Sequence, residues 1–324
     1  MRLPLIVASI VCSILLSPKS EAAGTPNKKP ASSRKIGLTI RVEGEGWGNA
    51  RKDDIEAVLY AVADELLTRI PAKLSVPIVV SHTERSPVAL YDRGRAGEYL
   101  VELHAGGTRW QEYAYEFAYE FAHELCHIMS NYEQHSGADA GRYNQWFEET
   151  LCEAASLHAL KGVARAWEAS DPASEWHVQA PQLRRFVDDL IEEGHRQLPA
   201  QTRLAAWLRE NEERMRSDPY QRSRNEVVAN LLLPLFEADP ENWDALSYLN
   251  LDPADARNSL REYLRNWYEN APAQHKDFVY GVFALLGVEA GERLAAADTA
   301  GPRPDAPDTA RAAEPGHAGT ILDR

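Results

Sequence analysis

The sequence predicts an α+β fold: a small mixed sheet packed on one long helix, followed by a mainly helical C-terminal subdomain. Three observations carry this. Residues 36–42, Ile-Gly-Leu-Thr-Ile-Arg-Val, alternate at period two, and two further short runs, 76–81 and 98–103, have strand composition. A long apolar-aromatic helical run, Tyr115 to Met129, follows the last of these strands. Beyond Asp171-Pro172 the apolar spacing stays helical to about residue 291. Strands early and helices alone afterwards describe a sheet layered on helix rather than a continuous alternation.

At the N-terminus, residues 1–22 read as a signal peptide. Arg2 supplies the positive start, Leu3 to Leu16 the apolar core, and Ser20-Glu21-Ala22 a small-x-small cleavage site. An exported protein, periplasmic or secreted, is expected, with an uncleaved anchor as the alternative. Cys12 follows Val11 rather than a small residue, which argues against lipid attachment. Residues 23–35, with Pro26 and Pro30, read as a flexible leader, and 292–324, rich in Ala, Asp, Pro and Gly, as a disordered tail. Between them, 36–143 form an α/β subdomain and 144–291 a helical one. A chain of 324 residues with 44% hydrophobic content can bury a sizeable core. Its net charge of −14 argues against nucleic acid or an anionic membrane surface as partner.

Within the first subdomain, Asp53 to Ile70 places Ile55, Val58, Leu59, Val62, Leu66, Leu67 and Ile70 on one helical face. Gly106-Gly107 then breaks the chain before the long run, with Thr108 and Gln111 as a capping box. Residues 131–143 read as a loop, and Asn144 caps a second helix that runs to about Trp167. Later apolar clusters mark helices around 183–191, 227–235, 260–267 and 278–286. Glu116, Glu120 and Glu124 form one i, i+4 row, in which Glu120 is expected to face solvent.

The long run contains His123-Glu124-Leu125-Cys126-His127. Histidines four apart lie on one helical face, one turn apart, so both rings can reach one metal ion. Glu124, about 100° further round, falls beside that ion, where its carboxylate can take a proton from a water. Two histidines need a third ligand. Glu149 and Glu153 share a face of the second helix: one can bind the metal, and the other can accept a hydrogen bond from the far nitrogen of a ligand histidine. His158, nine residues past Glu149, should point away from the metal. His82, His104, His135, His177, His195 and His275 show no ligand spacing and are expected at the surface.

Together, His123-Glu-x-x-His127 and the downstream Trp146-x-x-Glu149-x-x-x-Glu153 resemble the gluzincin metallopeptidases, strongly over about residues 95–160. The resemblance implies a zincin-like fold, Zn²⁺ as cofactor, and His123, His127 and Glu149 as its ligands. It implies Glu153 as the hydrogen-bond partner of His123, Glu124 as general base, and a peptide or protein substrate. Glu148 competes with Glu149 for the ligand role. Two departures stand out: Glu153 occupies a place where thermolysin-like enzymes have Asp, and the 21 residues between His127 and Glu149 make a slightly long gap. The resemblance also implies that 98–103 is an edge strand above the metal, open to substrate, although an ordinary paired strand has the same composition. It places an oxyanion donor before a later helix, where Asp218-Pro219-Tyr220 makes Tyr220 the candidate, with Tyr143, His177 and Tyr248 as alternates. A scaffold that binds a partner without cleaving it, or a zinc hydrolase of a non-peptide amide or ester, are the other functions such residues allow. Finally, Cys126 and Cys152 sit three residues after His123 and Glu149. In an oxidising compartment they would either bridge the two helices or stay as buried thiols.

Overall fold

A computed structural model describes residues 37–68, 74, 76–105, 110–135 and 143–288. The expected signal segment, leader and tail lie outside the described residues, as do Thr108 of the capping box and most of the 131–143 loop. The fold is α+β, with a four-stranded mixed sheet and many helices. Among the described residues no helix is long and apolar enough to cross a membrane.

Strands β1 (Ile40–Val42), β2 (Ile78–His82) and β4 (Tyr99–Leu103) run parallel, and β3 (Val88–Ala89) pairs antiparallel with β4, in the order β1-β2-β4-β3. Parallel neighbours need a crossover, which helix α1 (Lys52–Leu67) supplies between β1 and β2. Its Ile55, Val58, Leu59, Val62 and Leu66 are all buried, the face read from the sequence. Helix α1 also covers the exposed edge of β1. Tyr60 Oη accepts the Ile40 N–H at 2.9 Å, and Glu56 Oε1 accepts that of Val42 at 3.1 Å. Those two bonds satisfy donors that would otherwise invite another strand.

The sheet corrects one expectation. Strand β4 is not an edge: it pairs with β2 on one side and β3 on the other. The edge on that side is β3, a two-residue strand that starts directly after Pro87 and is too short to leave an alternation in the sequence. Proline, which lacks an N–H, fits the start of an edge strand.

Helix α2 (Trp110–Met129) carries the motif, and α3 (Gln145–Glu168) lies against it. Helix α3 is the centre of the molecule. It packs on α1 and α2 and on α4 (Glu175–Glu192) and α6 (Arg222–Ala238). It is buried almost all round, from Trp146 to Trp167. A helix enclosed on every side shows no polar face, which is why Glu148, Glu149, Glu153 and His158 are all buried in it. Helices α5 (Leu204–Ser217), α7 (Leu260–Asn270) and α8 (Ala273–Leu286) complete the helical part. Helix α5 left no apolar stripe in the sequence, because it buries only Leu204, Leu208 and Met215 among its charged residues.

Two polar residues expected in solvent are drawn inward. His275 is buried, its Nε2 3.0 Å from Asp244 Oδ2. Glu120 accepts the backbone N–H groups of His104 and Ala105, both at 2.9 Å, and so fastens α2 to the end of β4. Burial pushes its carboxyl up to about 7 despite those two donors.

Candidate metal centre

Tyr119, His123 and His127 form a stripe along α2 at four-residue steps. Helix α3 meets the stripe antiparallel, so each step down α3 faces a step back up α2. At the first level His127 Nδ1 stands 2.6 Å from Glu148 Oε1. At the next, Glu149 lies between the two rings, with Oε2 3.1 Å from His123 Nε2 and Oε1 3.6 Å from His127 Nε2. At the third, the Tyr119 hydroxyl donates to Glu153.

These spacings test whether the residues fit a metal. Tetrahedral zinc bonds of about 2.0–2.2 Å place neighbouring donors roughly 3.3–3.6 Å apart. Glu149 stands near that separation from each ring, with one oxygen toward His123 and the other toward His127. The charges agree. Burial alone would raise the Glu149 carboxyl, but the charge of His127 and hydrogen bonds from both rings hold it well below the usual range, ready as an anionic donor. Burial would equally disfavour a charged His127, and Glu149 and Glu148 outweigh it, so that ring holds a proton where a metal would bind.

Cys152 also comes close. One ligand atom from each of His123, His127 and Cys152 can be chosen with all three within 4.8 Å of one another. Burial, the Cys126 thiol and the charges of Glu148 and Glu149 all push the Cys152 thiol well above its ordinary range, and a metal bound there would displace its proton. Cys126 and Cys152 are free and fully buried, packed against each other as small apolar groups, so the bridge between helices is not formed.

Glu124 points to the sheet. Its Oε2 accepts the Ala89 N–H at 2.6 Å. Leu90 donates its own N–H to Leu100 of β4, so the neighbouring Ala89 N–H faces out from the edge. Burial pushes the Glu124 carboxyl up, opposed by the two histidines.

Glu153 does not buttress His123. Its carboxylate binds Tyr119 and, at 2.6 Å, Arg196 Nη1. Arg196 also reaches Glu226 Oε1 at 2.8 Å, and Arg222 binds both Glu226 (3.0 Å) and the Tyr119 hydroxyl (2.6 Å). The carboxylate that holds the Nδ1 of a motif histidine is Glu148, on His127. Sequence reasoning had Glu148 only as a rival ligand. Its signal was present, since Glu148 and Glu149 are 100° apart on α3 and can address two different faces of the rings. Because Arg196 and Glu153 are both buried, Arg196→Ala leaves the Glu153 carboxylate without its ion-pair partner, while Glu226 keeps Arg222. We expect a loss of about 3–5 kcal/mol in unfolding free energy, read from urea denaturation; a change below about 1 kcal/mol would show that water reaches the pair.

Tyr220, expected as oxyanion donor, is 65% exposed in the connection between α5 and α6. That connection is tied down at both ends. Before it, Arg216 lies 4.7 Å over the Tyr143 ring, just ahead of α3; after it, Arg222 reaches Tyr119 on α2. Of the alternates, Tyr143 is exposed, His177 lies in the first turn of α4, and the Tyr248 ring sits 6.1 Å from that of His275. Compared with protein-family models, curated proteins and solved structures, the chain matches none.

Proposed function

We propose that this chain is an exported, zinc-dependent metallopeptidase of zincin type. The observation that carries the reading is the Glu149 carboxylate lying between the His123 and His127 rings, one oxygen toward each, with the Glu124 carboxylate close enough to feel the charge of both. Those three residues would hold Zn²⁺, which when bound supplies a Lewis acid for a carbonyl and lowers the pKa of a water.

The remaining work falls to the chain. The Ala89 N–H fixes one Glu124 oxygen, leaving the other to take the water's proton and pass it to the leaving amine. Burial favours the protonated form of Glu124, which suits a group that must both accept and return a proton. An extended peptide laid along β3 meets the Ala89 carbonyl, which faces outward with its N–H. Tyr220 is the oxyanion donor we propose, from the connection that leads into Arg222, whose side chain reaches Tyr119 one turn before His123. A scaffold that only binds has no use for a buried base held against an edge strand, which favours the enzyme over it.

Purified protein should carry about one zinc per chain. It should cleave casein or a peptide library, stop with a chelator, and resume on adding Zn²⁺. Zinc without any cleavage would turn the reading to a binding scaffold or a hydrolase of non-peptide bonds, and absence of both would end it.

A further inference from the structure

Two asparagines clasp the end of α2 that carries His127. Asn131, just past the helix, has φ 58°; Asn250, after the 3₁₀ segment Pro240–Tyr248, has φ 56°. Both lie in the left-handed region, which Asn enters more readily than other residues with a Cβ. They reach across to each other's segments. Asn131 Nδ2 donates to the carbonyls of Ser247 and Leu249, both at 2.9 Å. Asn250 Nδ2 donates to the Ser130 carbonyl at 2.9 Å and to Glu148 Oε2 at 3.0 Å. Its Oδ1 accepts the Tyr263 hydroxyl at 2.6 Å. Asn250 is 1% exposed, and every polar atom of its side chain is engaged.

A hydrogen-bonded line therefore runs from Tyr263 through Asn250 and Glu148 to His127 Nδ1. Glu148 alone has a rotatable carboxylate. With one oxygen on Asn250 and the other on His127 it has one orientation, and so does the imidazole. We propose that Asn250 is a positioning residue, which sets the His127 ring for metal binding by orienting Glu148. The inference rests on the metal reading above and adds a part from 102 residues beyond Glu148 in the chain. Asparagine suits the position because its amide donates to a carbonyl and a carboxylate while accepting from a hydroxyl. Aspartate would set a second carboxylate against Glu148, and leucine would leave both acceptors bare.

Asn250→Gly tests it. Glycine adopts the same φ without strain and removes only the amide. In the full chain, measured by competition with a chelator, zinc affinity should fall about 10- to 100-fold, the usual cost of losing an outer partner of a ligand histidine. Tyr263→Phe should weaken it in the same direction, roughly 2- to 10-fold. If Asn250 acts through Glu148, adding Asn250→Gly to Glu148→Gln should weaken zinc little further. Unchanged affinity in Asn250→Gly, or losses that simply add, would overturn the positioning role while leaving the metal site standing. Failure of the unmutated chain to take zinc would overturn both. Should Asn250→Gly not fold, Tyr263→Phe decides: weaker zinc with an unchanged melting temperature of the metal-free protein supports the role, and unchanged affinity overturns it.

Discussion

Glu124→Gln should bind zinc as the unmutated chain does and lose turnover by about 10²- to 10⁴-fold, the contribution of a positioned acid–base group. The amide keeps the size of the carboxyl, and its oxygen can still accept the Ala89 N–H that now binds Glu124 at 2.6 Å. What it loses is the ability to take and return a proton. The folded state should suffer little, because burial already disfavours the Glu124 charge. Zinc content, melting temperature and kcat on one peptide separate these effects. Tyr220→Phe makes the contrast: loss of one oxyanion donor should cost roughly 10- to 1000-fold in kcat with less change in KM. Full activity in Glu124→Gln would exclude proton transfer by that residue, and full activity in Tyr220→Phe would move the oxyanion to another donor.

What could be read in advance was whatever a single helix decides. His123, Glu124 and His127 are fixed relative to one another by 3.6 residues per turn, so their spacing already carried their geometry. The apolar face of α1 was legible for the same reason. The roles on α3 were not, because they depend on the offset between two packed helices. A shift of one residue along α3 exchanges Glu148 for Glu149, and only the packed pair shows the first on His127 Nδ1 and the second between the rings. Glu153 was misplaced by the same kind of error. Its distance from Glu149 was right for one face, but at that level of α2 stands Tyr119, one turn before His123, with Arg196 behind it. Strand β3 was missed through shortness, and His275 through Asp244, a partner 31 residues away that makes a histidine acceptable in the core. Asn250 had no sequence signal at all. Its use lies in a left-handed backbone and in partners from three separate elements.

Removing the carboxylate ligand should have the largest effect on the metal. Glu149→Ala takes away the group that stands 3.1 Å from His123 and 3.6 Å from His127. Structural zinc sites bind with about 10–16 kcal/mol shared over four ligands, so one protein ligand contributes roughly 3 kcal/mol or more. Affinity should therefore drop at least about 100-fold. Glu148→Ala should cost less, about 10- to 100-fold, since it only loosens the His127 ring. The two variants compared decide the ligand directly. If Glu148→Ala empties the site and Glu149→Ala does not, the metal is bound by Glu148 and the helix offset must change on loading. Cys152→Ser gives the remaining control, because Cys152 comes within 4.8 Å of both histidines. With Glu149 as the third ligand, zinc should stay. Loss of zinc in Cys152→Ser with retention in Glu149→Ala would instead make the centre a two-histidine, one-thiolate site, in which Glu149 competes with the metal for the rings.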